Sequence, residues 1–159
     1  MTLKQFDTAM TDPEIDTLLT RVLDLLVQDE APLTFDFEQA LLSLGSSPAD
    51  AERLADYIPS ACGRAFCREI GMIPSDTYER PNKDGSWGPP RRFSDDPLWR
   101  SVERFVETIR IHSRSQFSLA ARHSSEVDAI SKAVDAGQTL ADLRGAHSAT
   151  AFIAPLKHS

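Results

Sequence analysis

Behind the run Thr11-Asp12-Pro13-Glu14, apolar side chains return at Ile15, Leu18, Leu19, Val22, Leu23 and Leu26. In a strand these odd and even positions would point to opposite faces; in a helix all six share one stripe. The opening residues supply a start signal: a threonine cap, a glutamate three residues later and a proline in the first turn. The spacing predicts a helix over 12–28, ended by Asp29-Glu30-Ala31-Pro32.

The same grammar recurs along the chain. Asp36 caps a shorter helix carrying Phe37, Ala40, Leu41 and Leu44, with Gly45 as its stop. Ser47-Pro48-Ala49-Asp50 starts another, which runs to Ile58. Pro59 lacks a donor and disfavours helical backbone at Ile58, so a break is predicted there, with a new helix from Pro59 to Ile70 closed by Gly71. In that helix Cys62, Phe66 and Ile70 form an apolar stripe, Gly63 permits a close neighbour, and Arg64 is expected on an exposed face. Further on, Asp96-Pro97 opens an amphipathic helix with Leu98, Val102, Phe105, Val106 and Ile109. The stretch between His112 and His123 reads as a weaker helix. Ser124 or Ser125 then caps a helix with Val127, Ile130, Ala133 and Val134 that stops at Gly137. Thr139-Leu140-Ala141-Asp142 resembles one more capping box, and the tail from Ala146 to Ser159 is expected to dock as an extended strand.

Between the helical halves, residues 73–93 break the pattern with four prolines, two glycines and an Asp84-Gly85 turn signal. A loop or small β-hairpin is expected there, carrying Tyr78 and Trp87. The fold class is therefore all-α: one domain over residues 1–159, a bundle of about six or seven helices with that irregular insert. At 159 residues and 41% hydrophobic content the chain is long enough to bury a core without staples. No apolar run reaches membrane-spanning length, and Met1 to Glu14 lacks the basic start and apolar stretch of a signal peptide. A cytoplasmic protein is expected.

Chemistry-bearing motifs are scarce. Cys62 and Cys67 are five apart, which matches neither a redox CxxC nor a zinc pair, so both are read as reduced and packed. His112, His123, His147 and His158 fit no metal spacing, and no phosphate loop or nucleophile elbow is present. Asp95-Asp96 reads as a helix cap rather than a catalytic carboxylate pair, and Trp99 as a core aromatic. No catalytic residue, metal or cofactor is assigned.

Charge is more informative. The chain carries a net −7, which argues against general nucleic-acid binding. Residues 1–60 hold twelve acids against Lys4, Arg21 and Arg53, a net −9, while 61–114 are net +2 and the remainder is balanced. All of the excess belongs to the first three helices. A solvated face that aids solubility is one reading. The other is a docking face for a basic protein, since complementary potentials speed encounter and reject wrong partners. On that second reading the partner-binding residues are Asp24, Asp29, Glu30, Asp36 and Glu38, with Tyr78 and Trp87 as aromatic anchors. Arg64 and Arg68 are expected to pair with acids of the first three helices.

The segment YIPSACGRAFCREIGM, with its Pro-x-Ala-x-Gly-Arg run leading into a helix, resembles one found in small, mostly uncharacterised bacterial proteins. The later SSEVDAISKAVDAGQTLADL is similar to their C-terminal region. These two segments carry a resemblance that is read over about half of the chain. Some small acidic proteins of this kind are immunity proteins that neutralise a toxin made by the same cell. The resemblance therefore implies an inhibitor that binds a basic toxin domain. An adaptor within a larger bacterial system is the alternative. An enzyme with an unfamiliar site, built from Arg64, Arg68 and the histidines, is the third.

Overall fold

The structure, a computed structural model, describes residues 10–72, 74, 77–78, 84–86, 88–89, 91–139 and 141–142. It is an all-α bundle of helices α1 (Asp12–Gln28), α2 (Phe37–Ser43), α3 (Pro48–Glu69), α4 (Pro97–His112), α5 (Arg114–Ala121) and α6 (Ser125–Asp135). Two short strands, β1 (Thr77–Tyr78) and β2 (Arg91–Arg92), pair antiparallel with Thr77 opposite Arg92 and Tyr78 opposite Arg91. Within the segment they close, Asp84 Oδ1 accepts from the Ser86 amide at 3.0 Å and Gly85 takes φ +88°, so the Asp-Gly turn forms as expected. No described helix is long and apolar enough to cross a membrane.

The first helix follows its sequence closely. Thr11 and Glu14 form the reciprocal capping box, and the six stripe residues from Ile15 to Leu26 are all buried. Asp36 caps α2 through the Gln39 amide, Ser47 caps α3, Asp96 caps α4 and Ser124 caps α6. Gly45, Gly71 and Gly137 end their helices with φ between +89° and +98°, a region a side chain would disfavour. Thr139 and Asp142 exchange the two bonds of the last capping box, at 3.1 and 3.2 Å. The tail from Ala146 lies outside the described residues, so its expected strand is not placed.

The centre of the molecule corrects the sequence reading. Helix α3 does not break at Pro59 but runs through it. It packs against α2, α4, α5 and α6 and so has no solvent side at mid-length, where residues 57–65 are all buried. Packing on every side holds the backbone helical past the proline's missing donor, and a helix so surrounded loses the two-faced pattern on which the exposed arginine was argued. Arg64 is accordingly buried, at 3% exposure, and not on a solvated face. Cys62 is sealed in the core as expected, whereas Phe66 is only half-buried and Cys67 takes a buried place. Both thiols are free, and burial pushes Cys67 up to about 12 and Cys62 higher still, which makes them poor nucleophiles.

A buried polar knot ties α3 to α4. Asp96, fully buried, accepts from Arg53 at 2.6 Å, from the Tyr57 hydroxyl at 2.6 Å and from the Leu98 amide at 2.9 Å. Tyr57 meets Trp99 edge-on at 5.2 Å, and Trp99 stacks on Phe93 at 3.9 Å. The Arg64 guanidinium lies over the other partner of that stack, 4.6 Å from the Phe93 ring centre. Asp96 is thus a cap and a structural hub, and Trp99 a core aromatic, as read from the sequence.

Candidate functional site

The segment that joins α1 to α2 carries most of the acids singled out above. Asp29 ends α1 and turns its carboxylate onto the Ala31 amide at 2.7 Å. A single 3-10 turn, Pro32–Thr34, follows, and Asp36 caps α2. Leu33 stands at 59% exposure on that turn, with Glu30 and Asp36 exposed on either side of it in sequence. Asp24 is exposed on α1 and accepts from Gln116 of α5 at 2.9 Å.

Aromatic packing holds this loop in place. His123, in the turn between α5 and α6, makes a 2.7 Å bond from Nε2 to the Pro32 carbonyl. A carbonyl only accepts, so Nε2 carries the proton. The Phe37 ring meets His123 edge-on at 5.1 Å, and Phe35 meets Phe37 in the same way at 5.0 Å.

Beside the loop lies a cleft of about 290 Å³, at the lower end of the range for small-ligand sites. Residues 34–38 form one wall and Ser124 and Ser125 of the α6 start form another. The α3 turn holding Ala55, Asp56, Pro59 and Ser60 closes the remainder. Pro59 offers no N–H to the Ala55 carbonyl, so the turn of α3 that lacks a helix bond is the turn that faces the cleft. Glu38 is half-buried in this lining.

The start of α6 reaches α3 at a point of unusually close approach. A Cβ built on Gly63 would lie 2.1 Å from Ser124 Oγ, so only glycine allows the two helices to meet there. Glu126, on the first turn of α6, is thereby driven to full burial. One of its oxygens, Oε2, accepts from Ser60 Oγ at 3.1 Å and from Arg64 Nη1 at 3.4 Å. The other, Oε1, is buried with no hydrogen-bond partner. Burial outweighs Arg64, the helix backbone and Ser60, and raises the Glu126 carboxyl above its ordinary range.

The structure therefore brings Asp29, Glu30, Asp36 and Glu38 onto one loop and its following helix. It gives Arg64 to Glu126 of α6 and Arg68 to Glu103 of α4 at 4.0 Å, not to acids of the first three helices as expected. The physical reason is that the two arginines face α6 and α4, which supply the acids that they meet. The Tyr78 backbone belongs to β1, but its side chain and the whole of Trp87 lie outside the described residues. Glu126 and Ser60 were missed in the sequence, and His123 was read only as one of four scattered histidines. The signal that could have found Glu126 was a glycine in mid-helix, which marks a close neighbour.

Among the described residues no three His, Cys, Asp or Glu side chains stand together as a metal site. Comparison of the chain with protein-family models, with curated proteins and with solved structures returned no match.

Proposed function

We propose that the chain is a protein-binding inhibitor of the immunity type, which docks a basic protein domain on its acidic α1–α2 surface. One observation carries this reading. Asp16, Asp24, Asp29, Glu30 and Asp36 are exposed and form no ion pair among the described residues. Several acids on the other helices are matched from within: Glu69 by Arg110 and Arg114, Glu107 by Arg110, and Asp128 by Lys132. Unmatched charge beside an exposed leucine supplies both steering and a small apolar contact, the two elements of a protein interface. The hydroxyls and the imidazole that face the neighbouring cleft from Ser60, Ser124 and His123 are already engaged in the fold. Ser60 donates to Glu126, Ser124 caps α6 and His123 holds Pro32, which favours binding over a nucleophile-and-base reaction.

The test is capture from the native cell with the parent protein and with the variant Asp24→Asn, Asp29→Asn, Glu30→Gln, Asp36→Asn. The amides keep the caps, because asparagine serves that role as well as aspartate. A basic protein should be retained by the parent, elute with salt and be lost by the variant. Its toxicity should be relieved by co-expression of the parent. Retention of the same proteins by the variant would sink the reading. A captured component of a secretion or regulatory assembly that is not toxic would instead favour an adaptor.

A further inference from the structure

Glu126 and Arg64 are buried together in a way that leaves the carboxylate poorly supported. The guanidinium reaches only Oε2, at 3.4 Å, and Ser60 reaches the same oxygen. Oε1 is sealed from solvent with no donor. A buried carboxylate needs its lone pairs satisfied to offset the loss of water, and half of this one is not. Arg64 is in turn shared with the Phe93 ring, whose centre lies 4.6 Å from its guanidinium carbon.

The groups that act on Glu126 can be named from each side. From α3 these are Arg64 and Cys67, with Arg68 acting on Arg64 one turn later. From α6 itself the backbone of the first turn favours the charged form. Across the cleft that Ser60 also lines, the titratable groups are Asp36, Glu38, Asp56 and His123, three of them acids that a new negative charge would meet as like charges.

We propose that Glu126 is a pH-sensitive latch: its protonated form docks the start of α6 on α3, and its ionisation loosens that contact and moves the Ser124–Ser125 wall of the cleft. The geometry gives the latch its leverage. Ser124 sits against Gly63 with no room to spare, so the wall cannot shift without the α3–α6 contact opening. The proton is exchanged with solvent whenever that contact opens. The sign follows from linkage. A carboxyl that holds its proton more tightly when docked than when undocked makes docking strongest below the undocked value, and docking weakens as pH rises toward the docked value. The inference is independent of any partner and stands whether or not the acidic loop binds one.

The experiment is amide hydrogen exchange of α6 across a pH series, corrected for intrinsic rates, together with the Glu126 carboxyl carbon shift by NMR. The opening constant of α6 should rise by up to about tenfold per pH unit through the window between the undocked and docked values, then level off. In Glu126→Gln the profile should be flat. If that variant does not fold, the double variant Glu126→Gln, Arg64→Met carries the same comparison and should also be flat. A carboxyl midpoint at or below the ordinary glutamate value of about 4.3 would overturn the proposal. So would an α6 opening profile with the same pH dependence in parent and variants.

Discussion

Gly63 shows how one residue sets the packing of two helices. A glycine inside a helix is ordinarily replaced by alanine with a gain of about 1 kcal/mol, because the unfolded chain loses freedom and the helix gains propensity. Here the added methyl would meet Ser124 Oγ at 2.1 Å and its Cβ at 2.4 Å, both on the cap of α6. Gly63→Ala is expected to lower stability by ~1–3 kcal/mol, the usual range for overpacking, with the damage reported by α6 amides. Adding Ser124→Gly to that variant should recover part of the loss in a thermal melt. No recovery would mean that the strain lies elsewhere. Asp96 is a second such residue. Asp96→Ala removes the cap of α4 and the carboxylate shared by Arg53 and the Tyr57 hydroxyl, while Asp50 still faces Arg53 at 3.6 Å, so a loss of ~2–4 kcal/mol is expected in denaturant unfolding. A loss below about 1 kcal/mol would show that the knot is only a surface cap, the range expected of exposed pairs.

At the scale of elements, α3 is the member that departs from simple helix grammar. Its proline sits in mid-helix with both neighbours buried, and the core contacts of Tyr57, Ile58, Ala61 and Cys62 hold the backbone helical across the missing bond. An interior proline costs about 3 kcal/mol in an unsupported helix, while each large apolar side chain buried contributes ~1.5–3 kcal/mol, so packing wins. Pro59→Ala should therefore leave the helix limits unchanged and raise the melting temperature, since a donor is restored to the Ala55 carbonyl. The gain will be smaller than the full proline cost, because the ring itself is buried. A fall in melting temperature would mean that the ring's packing outweighs the lost bond. The exposed cluster of Glu69 with Arg110 and Arg114 behaves differently. Hydrogen bonds from Arg114 first, and then Arg110, hold Glu69 below the usual carboxylate range, so its support is present above the unfolded value and fades as pH falls through the folded one. Being largely solvated it is screened by salt, and Glu69→Gln should hardly move a melt at high ionic strength.

Across the whole molecule, the sequence disclosed what depends on neighbours along the chain. Helix α1, the caps at Asp36, Ser47 and Asp96, the Asp84 turn and the Thr139–Asp142 box are set by residues within four positions of one another, and all are found as read. What depends on distant contacts was not legible. Arg64 carries a charge that marks a surface in any local reading, yet its burial is decided by Glu126, sixty-two positions away, and by the ring of Phe93. The acidic residues were legible as a group, but the gathering of Asp29, Glu30 and Asp36 along one turn that exposes Leu33 is held by a contact from His123, 91 positions beyond Pro32.

That gathering is the centre of the functional account, and the rate of association tests it most directly. With the captured partner in hand, stopped-flow mixing at low ionic strength should show the variant Asp24→Asn, Asp29→Asn, Glu30→Gln, Asp36→Asn associating about tenfold or more slowly than the parent. The two rates should draw together near physiological salt, where the screening length falls to ≈ 8 Å. Equal rates for parent and variant at low salt would contradict the account and leave the acidic α1–α2 surface as a solvated face.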